Sequence, residues 1–246
     1  MNHLFGINTS VLRYKVLSKL KEVGIFGTII IAAHNLIYGI KKLLPVKKPE
    51  IHIFDQKYGT DTSGIIKSWA LDIPYDKAVH AKHYQAVGFI EDFINILNNL
   101  NIQFEEFIFI DLGSGKGRAL LLASHFPFNE IIGIELSQKL HDIACNNIKI
   151  YINETQKCHR ILSVCEDAAC YKIPLEHTVF YFYNPFDEHI MKAVLSNIED
   201  SIRKYPREIY IIYHNPVYRE VFDVATFLKI YVATERHIIY KCKTCH

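Results

Sequence analysis

The 246-residue chain is 50% hydrophobic with a formal net charge of +2, which is enough apolar content for a core and excludes a disordered, strongly charged chain. Residues 1–50 hold eight Lys or Arg against two Glu, which leaves the remaining residues at a net charge of −4. Residues 51–246 therefore do not form a surface that is basic overall and suited to nucleic acid, although the sequence is still compatible with a local basic patch. Six cysteines and no evident secretory signal predict free thiols in a reducing, cytoplasmic compartment.

The first 50 residues form a basic and apolar extension. Residues 23–40 contain no formally charged side chain, and lysines flank this run on both sides. Eighteen residues is at the short limit for a membrane span. Three interpretations stay open: a helix packed on the body or on a dimer partner, an interfacial helix that gives residues 11–42 a peripheral membrane contact, and a true span. Pro45 and Pro49 then indicate a linker.

Residues 51–105 are predicted to be a lid-like segment followed by a helix. The segment is polar and turn-rich around Tyr58-Gly-Thr-Asp-Thr, and it is either a lid over a ligand or a surface connector held by Asx and Ser/Thr turns. Apolar side chains at helical spacing predict an amphipathic helix over 84–100. His80 and His83 are spaced to face one metal ion, but no third ligand is nearby, so no metal site is predicted.

A buried-strand pattern at 107–111 leads into a triple-glycine turn and a helix over 117–126. The turn reads Asp111-Leu112-Gly113-Ser114-Gly115-Lys116-Gly117. Its glycines let the backbone turn sharply and approach a ligand, which favours a nucleotide-binding βα unit. A carboxylate at the strand tip would repel a pyrophosphate but suits an amino group and a sulfonium. With the spacing G-x-G-x-G, the turn favours S-adenosylmethionine (SAM) over NAD.

The next strand, 131–135, ends in an acid. Glu135 follows Asp111 by 24 residues and is placed to accept hydrogen bonds from ribose hydroxyls. Ser137 is placed to cap a helix over 137–153.

Short apolar strands and helices alternate through the rest of the chain. Strands are predicted at 161–165, 178–183, 208–213, 227–232 and 235–240, with a helix over 187–204. This order predicts an α/β fold, a doubly wound Rossmann-like sheet of about seven strands with an antiparallel last strand, preceded by the N-terminal helical extension. Residues 106–246 are expected to form the SAM-binding domain.

On these motifs the chain resembles the class I SAM-dependent methyltransferases over roughly residues 84–240. The resemblance implies that Glu135 and Leu136 form the ribose-binding strand end and that Asp167, within Glu166-Asp167-Ala168, contacts the adenine amino group. Tyr58 and Tyr84 of the lid-like segment are further expected contacts. It also implies that the glycine motif binds the cofactor through Asp111, Leu112, Gly113, Ser114, Gly115 and Gly117.

The acceptor side is expected after the fourth strand of the predicted domain. Tyr183-Asn184-Pro185-Phe186 resembles the Asn/Asp-Pro-Pro-Tyr/Phe motif of many amino-group methyltransferases, although the second proline is missing. The resemblance implies that Asn184 accepts a hydrogen bond from a target amine, that Pro185 stiffens the turn and that Phe186 stacks on a planar acceptor. Alternatively, Asn184 and Pro185 only cap the following helix. His214 is a candidate base.

The function predicted from these residues is SAM-dependent methylation of an amino nitrogen on a protein side chain or a nucleobase. Alternatives are O- or N-methylation of a small or lipid-linked molecule, and a non-catalytic SAM-binding module. The sequence lacks the metalloprotease, serine-hydrolase and P-loop signatures. Cys242-Lys-Thr-Cys245-His246 spells a haem c attachment motif, but at the end of a cytosolic-looking chain it is expected to be an untethered tail.

Overall fold

In the computed structural model the described residues are 51–88 and 90–243, together with Gly24. The predictions for residues 11–42, and for Cys245 and His246, lie outside them. The chain divides into residues 1–48 and 49–246, and the fold described is that of the second unit. Among the described residues, no helix combines the length and the apolar character that crossing a membrane requires.

Nine strands form two sheets within the described residues. In chain order they are β1 (Ile65–Ile66), β2 (Tyr84–Gln85), β3 (Phe107–Leu112), β4 (Glu130–Glu135), β5 (Ile161–Cys165), β6 (His177–Tyr183), β7 (Ile209–His214), β8 (Leu228–Ala233) and β9 (His237–Cys242). Strands β1 and β2 pair with each other, and the other seven form one sheet in the order β5-β4-β3-β6-β7-β9-β8. The five strands from β5 to β7 are parallel, and β9 is antiparallel to both neighbours. The predicted fold class is confirmed.

Helices cover both faces of the large sheet. They are α1 (Ile53–Tyr58), α2 (Tyr75–Ala78), α3 (Ile90–Asn98), α4 (Arg118–Ala123), α5 (Gln138–Ile150), α6 (Glu188–Lys204) and α7 (Arg219–Asp223), with single 3₁₀ turns at Ser68–Ala70 and Phe104–Glu106. Because side chains alternate along a strand, Phe107 and Phe109 of β3 pack with α3 and α4, whereas Ile108 and Ile110 pack with α6 and α7.

Helices α5 and α6 each begin at a side-chain cap. The Ser137 hydroxyl accepts a hydrogen bond from the Leu140 N–H (3.2 Å), which confirms the predicted cap of α5. At α6 the Asp187 carboxylate accepts one from the Ile190 N–H (3.1 Å). Since Asp187 occupies the N-cap position, the alternative in which Asn184 and Pro185 cap this helix is wrong.

The predicted helix over 84–100 is wrong at its start, because α3 begins only at Ile90 and Tyr84 lies in strand β2. The Tyr84 hydroxyl donates a hydrogen bond to the carbonyl of Thr62 (2.6 Å), and its ring packs on Gly115. These contacts join residues distant in sequence, so they override a helical periodicity that the sequence shows locally. The other predicted elements are present, with ends that differ by a few residues.

Candidate active site

The carboxyl ends of the parallel strands meet at one edge of the sheet, where ligands bind in open α/β folds. The glycine turn follows β3 at this edge, and its three glycines have φ angles of +85°, +56° and +85°. A Cβ at Gly113 would lie 2.5 Å from the Pro185 Cβ, and one at Gly115 would lie 2.2 Å from Cε2 of Tyr84. Only glycine therefore fits, both sterically and in backbone conformation.

Glu135 closes the end of β4 beside this turn. Its carboxylate accepts hydrogen bonds from the backbone N–H groups of Gly115 and Ser137, both at 2.8 Å. Burial raises the pKa of Glu135, and these N–H groups oppose the rise. Burial, and secondly the charge of Glu135, raise the pKa of Asp111 well above its usual range. The edge thus presents two buried carboxyl groups, which suit a ligand rich in hydrogen-bond donors or positive charge.

A cleft of about 820 Å³, its open mouth included, lies against the glycine turn. The predicted site residues that line it are Gly113, Glu135, Leu136, Asp167, Tyr84, Pro185 and Phe186. The predicted residues that do not line it are Asp111, Leu112, Ser114, Gly115, Gly117, Tyr58 and Asn184.

Asp167, a predicted cofactor contact, lines the cleft and is already paired. It accepts hydrogen bonds from Nζ of Lys77 (2.6 Å) and from the Ala169 N–H (2.9 Å). Burial raises the pKa of Asp167, but these bonds outweigh it, so the pKa lies below its usual range. Lys77 belongs to residues 71–85, which supply one wall of the cleft. No sequence pattern predicts this pairing, because 90 residues separate the partners.

The predicted acceptor motif lies beside this wall and lines the cleft with it. Its backbone pairs with the lid-like segment, because the Lys82 N–H donates to the Pro185 carbonyl (3.0 Å). Asn184 has a φ of +48°, a left-handed conformation that Asn tolerates better than most residues. Its Oδ1 accepts a hydrogen bond from the Tyr213 hydroxyl (3.3 Å). Tyr183, Pro185 and Phe186 line the cleft, and Asn184 stands beside it.

Arg118, the last residue of the Gly-Ser-Gly-Lys-Gly-Arg run, points away from this site into a buried polar cluster. We name it the Asp55 cluster, and its members are Asp55, Thr60, Thr62, Ser63 and Arg118. The carboxylate of Asp55 accepts hydrogen bonds from Thr60 Oγ1 (2.7 Å), the Thr62 N–H (2.9 Å), Thr62 Oγ1 (2.6 Å) and Ser63 Oγ. Arg118 binds Thr62 Oγ1 (2.7 Å) and lies 3.5 Å from Asp55. Part of the lid-like segment thus packs behind the glycine turn.

Lys116 of the glycine turn is held in the same way. Its Nζ donates to Asp61 Oδ1 (2.6 Å) and to the Ser63 carbonyl (3.0 Å). The buried amide of Asn147 on α5 donates to the carbonyls of Lys116 (2.9 Å) and Asp61 (3.0 Å). Both cations of the motif therefore fix the turn to residues 55–63. The sequence motif shows the two cations, Lys116 and Arg118, but it does not identify the residues that they bind.

Two further candidates lie away from the cleft. Tyr58 packs on Phe54 and Tyr151. His214 is buried, and its Nδ1 lies 3.0 Å from the Tyr181 hydroxyl. Burial, and secondly His237, lower the pKa of His214 to about 4. Because the side chain of His214 is buried in the interior and does not line the cleft, the hypothesis that it serves as the base is corrected.

The described residues contain no group of three or more His, Cys, Asp or Glu arranged to hold a metal ion. Cys242 of the haem-like motif is buried at the end of β9, where burial raises the pKa of its thiol to about 12. Its side chain is a core residue.

No family model matches the sequence, and no curated protein matches it. Solved structures similar to this fold include a Methanococcus maripaludis protein assigned as a SAM-dependent methyltransferase, with 20% identity, coverage of 64% of this chain and 86% of that one, and a TM-score of 0.45. A magnesium protoporphyrin IX methyltransferase from Synechocystis, with bound SAM, has 12% identity, coverage of 65% and 86%, and a TM-score of 0.44. A dimethyladenosine transferase from Plasmodium falciparum has 12% identity, coverage of 63% and 62%, and a TM-score of 0.45.

Proposed function

We propose that this chain is a SAM-dependent methyltransferase whose acceptor is an amino nitrogen of a protein side chain or a nucleobase. The observation that carries the proposal is the convergence of Gly113, Glu135 and Asp167 on one cleft that Pro185 and Phe186 also line. The first three residues match the cofactor positions that the sequence predicts, and the last two match the acceptor motif.

The residues present fit SAM. Glu135 uses two oxygen lone pairs on backbone N–H groups, and a carboxylate has about four lone-pair sites, so it can still accept bonds from a ribose diol. Asp167 would accept a bond from the adenine amino group once Lys77 yields its place. The carboxyl of Asp111, buried near the end of β3 just before the glycine turn, would favour the cationic end of the ligand when it is ionised. When bound, SAM supplies an electrophilic methyl group on its sulfonium.

Pro185, Phe186 and Asn184 would position the acceptor. Methyl transfer requires an in-line approach, so the protein contributes mainly by holding the acceptor against the methyl group. Phe186 offers a ring for a planar acceptor to stack on, and the packing of Pro185 on Gly113 holds the motif against the glycine turn. Asn184 would bind the amine through its amide after a rotation from its present bond to Tyr213.

Two measurements test the proposal. In calorimetric titrations SAM should bind and NAD should not, and Glu135→Ala should weaken SAM binding by about 1–3 kcal/mol. Glu130→Ala, at the other end of β4, is the matched control and should leave the affinity unchanged. Methyl-³H-SAM is then incubated with a lysate that is separated into protein, nucleic acid and small molecules.

The labelled fraction identifies the acceptor class. Label in protein or nucleic acid supports the proposal, and label only in small molecules supports the metabolite alternative. SAM binding without transfer to any fraction would make the chain a SAM-binding module. Binding of NAD, or no binding of SAM, would overturn the cofactor assignment.

A further inference from the structure

His80 is held against the predicted acceptor motif by backbone pairing. It lines the cleft, and its carbonyl accepts a hydrogen bond from the Asp187 N–H (2.9 Å). Ala81 and Phe186 form an antiparallel bridge, and the Lys82 N–H reaches the Pro185 carbonyl. These contacts place the residue in fixed register with Pro185 and Phe186, on the acceptor side of the cleft.

The imidazole of His80 is paired with a carboxylate. Its Nδ1 lies 2.6 Å from Oδ2 of Asp187. Burial raises the pKa of Asp187, but the hydrogen bonds from His80 and from the Ile190 N–H outweigh it, so the pKa lies below its usual range. An ionised carboxylate only accepts hydrogen bonds, so Nδ1 must carry the proton. In the neutral ring, Nε2 therefore keeps its lone pair.

The carboxylate is itself held in place by α6. Its other oxygen, Oδ1, accepts the hydrogen bond from the Ile190 N–H that caps this helix. The orientation of the His80 ring thus depends on a helix start and on a backbone-paired segment. A histidine whose Nδ1 is fixed by a carboxylate and whose Nε2 is unprotonated is the arrangement that enzymes use for proton abstraction.

We propose that His80 is the general base of this enzyme and that Asp187 is its positioning residue, an inference that rests on the proposed methyltransferase function. As the acceptor nitrogen donates its lone pair to the methyl carbon, the C–S bond breaks and its electron pair remains on sulfur as the thioether. The nitrogen then releases one proton to Nε2 of His80, which passes it to solvent. An acceptor that arrives as an ammonium must lose a further proton beforehand, because it has no lone pair.

Several titratable groups surround this histidine. Asp187 and His189 lie against its ring, with a His80–His189 ring distance of 5.2 Å. The titratable groups that share the cleft with it are Lys77, Lys82, His83, Tyr84, Glu135, Glu166, Asp167 and Tyr183. Because some of these also change charge with pH, the informative observation is the loss of a pH dependence on substitution.

The test compares His80→Gln with the wild-type protein, using methyl-³H-SAM and the lysate fraction that the wild type labels. A general base contributes about 10²- to 10⁴-fold, so kcat should fall by that factor. The affinity for SAM and the Tm should stay near the wild-type values, and the acid limb of the rate–pH profile should disappear. Asp187→Asn should also lower kcat strongly with little change in Tm, because its amide oxygen still caps α6 while its NH2 group faces Nδ1 and favours the Nε2–H tautomer. The matched control is His159→Gln, an exposed histidine just before β5.

Wild-type turnover or a retained acid limb in His80→Gln would overturn the inference. So would a loss of kcat fully explained by an equal loss of SAM affinity or Tm. An independent readout is ¹⁵N NMR of histidine-labelled wild-type protein with SAM, which should show the Nδ1–H tautomer at His80. An Nε2–H tautomer would overturn the inference without any acceptor. Failure of the wild type to bind SAM or to transfer a methyl group would instead overturn the proposed function.

Discussion

The ammonium of Lys77 lies 2.6 Å from the carboxylate of Asp167, the residue that the sequence predicts to contact adenine. The hydrogen bond and charge of Asp167 raise the pKa of Lys77, so the lysine is charged across the ordinary pH range. Under the proposed function, Lys77 therefore occupies the position that the adenine amino group would take, and SAM binding would compete with this ion pair.

We predict that Lys77→Met increases the affinity for SAM. The Lys77 side chain is 39% exposed, so solvent screens the pair, and an exposed pair contributes about 0.2–1 kcal/mol. The gain should thus be at most about fivefold. Calorimetry measures it, with Lys149→Met as a control that removes an exposed lysine of α5. A loss of affinity would show that Lys77 contacts the cofactor instead.

Arg118 should be a strong contributor to stability. It and Asp55 are both almost fully buried, and removing one partner leaves the other charge uncompensated. Breaking such a pair costs about 3–5 kcal/mol, so Arg118→Met should lower the free energy of unfolding by that amount. Arg219→Met, which breaks the exposed pair with Asp223, is the control and should change it little. Chemical denaturation compares the two variants, and equal effects would contradict the prediction.

Asp55 should make stability depend on acid pH. Burial raises its pKa, but the bonds from Ser63, Thr62 and Thr60 outweigh it, so the folded-state pKa is lower than the unfolded value of about 3.9. Between the two pKa values the unfolded chain binds more protons. This contribution is complete above the unfolded pKa and is lost as the pH falls through the folded pKa.

The measurement is the free energy of unfolding against pH for the wild type and Asp55→Asn. The difference between them should shrink as the pH falls below about 4. Asp72, Asp167 and Asp187 have pKa values lowered in the same direction, so only the difference isolates Asp55. A difference that is independent of pH would contradict the prediction.

Gly113→Ala should weaken SAM binding by more than the strain of its backbone conformation alone explains. Its Cβ would lie 2.5 Å from Pro185, and its φ is +85°. Gly59 has a similar φ of +69° but open space at the Cβ position, so Gly59→Ala measures the conformational cost alone, about 1–2 kcal/mol. Only Gly113→Ala should also move Pro185 and weaken SAM binding. Equal SAM affinities in the two variants would refute the close-contact argument.

Asn184 is best tested as glycine, because glycine adopts the observed φ of +48° without strain. If the side chain binds the acceptor, Asn184→Gly should lower kcat on the order of tenfold and leave the affinity for SAM nearly unchanged. The matched control is Asn215→Gly, because Asn215 has a similar φ of +53°. A control at Asn197 is unsuitable, since Asn197→Gly would break α6. An unchanged kcat in Asn184→Gly would reduce Asn184 to a turn residue that supports Tyr213.

Local patterns determined the order of strands and helices in the body of this protein. Buried strands, the glycine turn and the Ser137 cap are each specified within a few residues, because hydrophobic periodicity, glycine conformation and capping act over one or two turns of chain. Glu135 and Asp167 could likewise be placed from the sequence, since acids that follow parallel strands must meet at one edge of the sheet.

The tertiary structure alone decided which of these groups pair. Lys77 with Asp167, His80 with Asp187 and Arg118 with Asp55 are separated by 90, 107 and 63 residues. No local pattern encodes such a contact. Only the tertiary structure shows that His214 is buried, and its pKa depends on the side chains packed around it. Sequence therefore specified the elements and the chemical groups, and packing specified their partners and protonation, because charge and hydrogen bonding act through space.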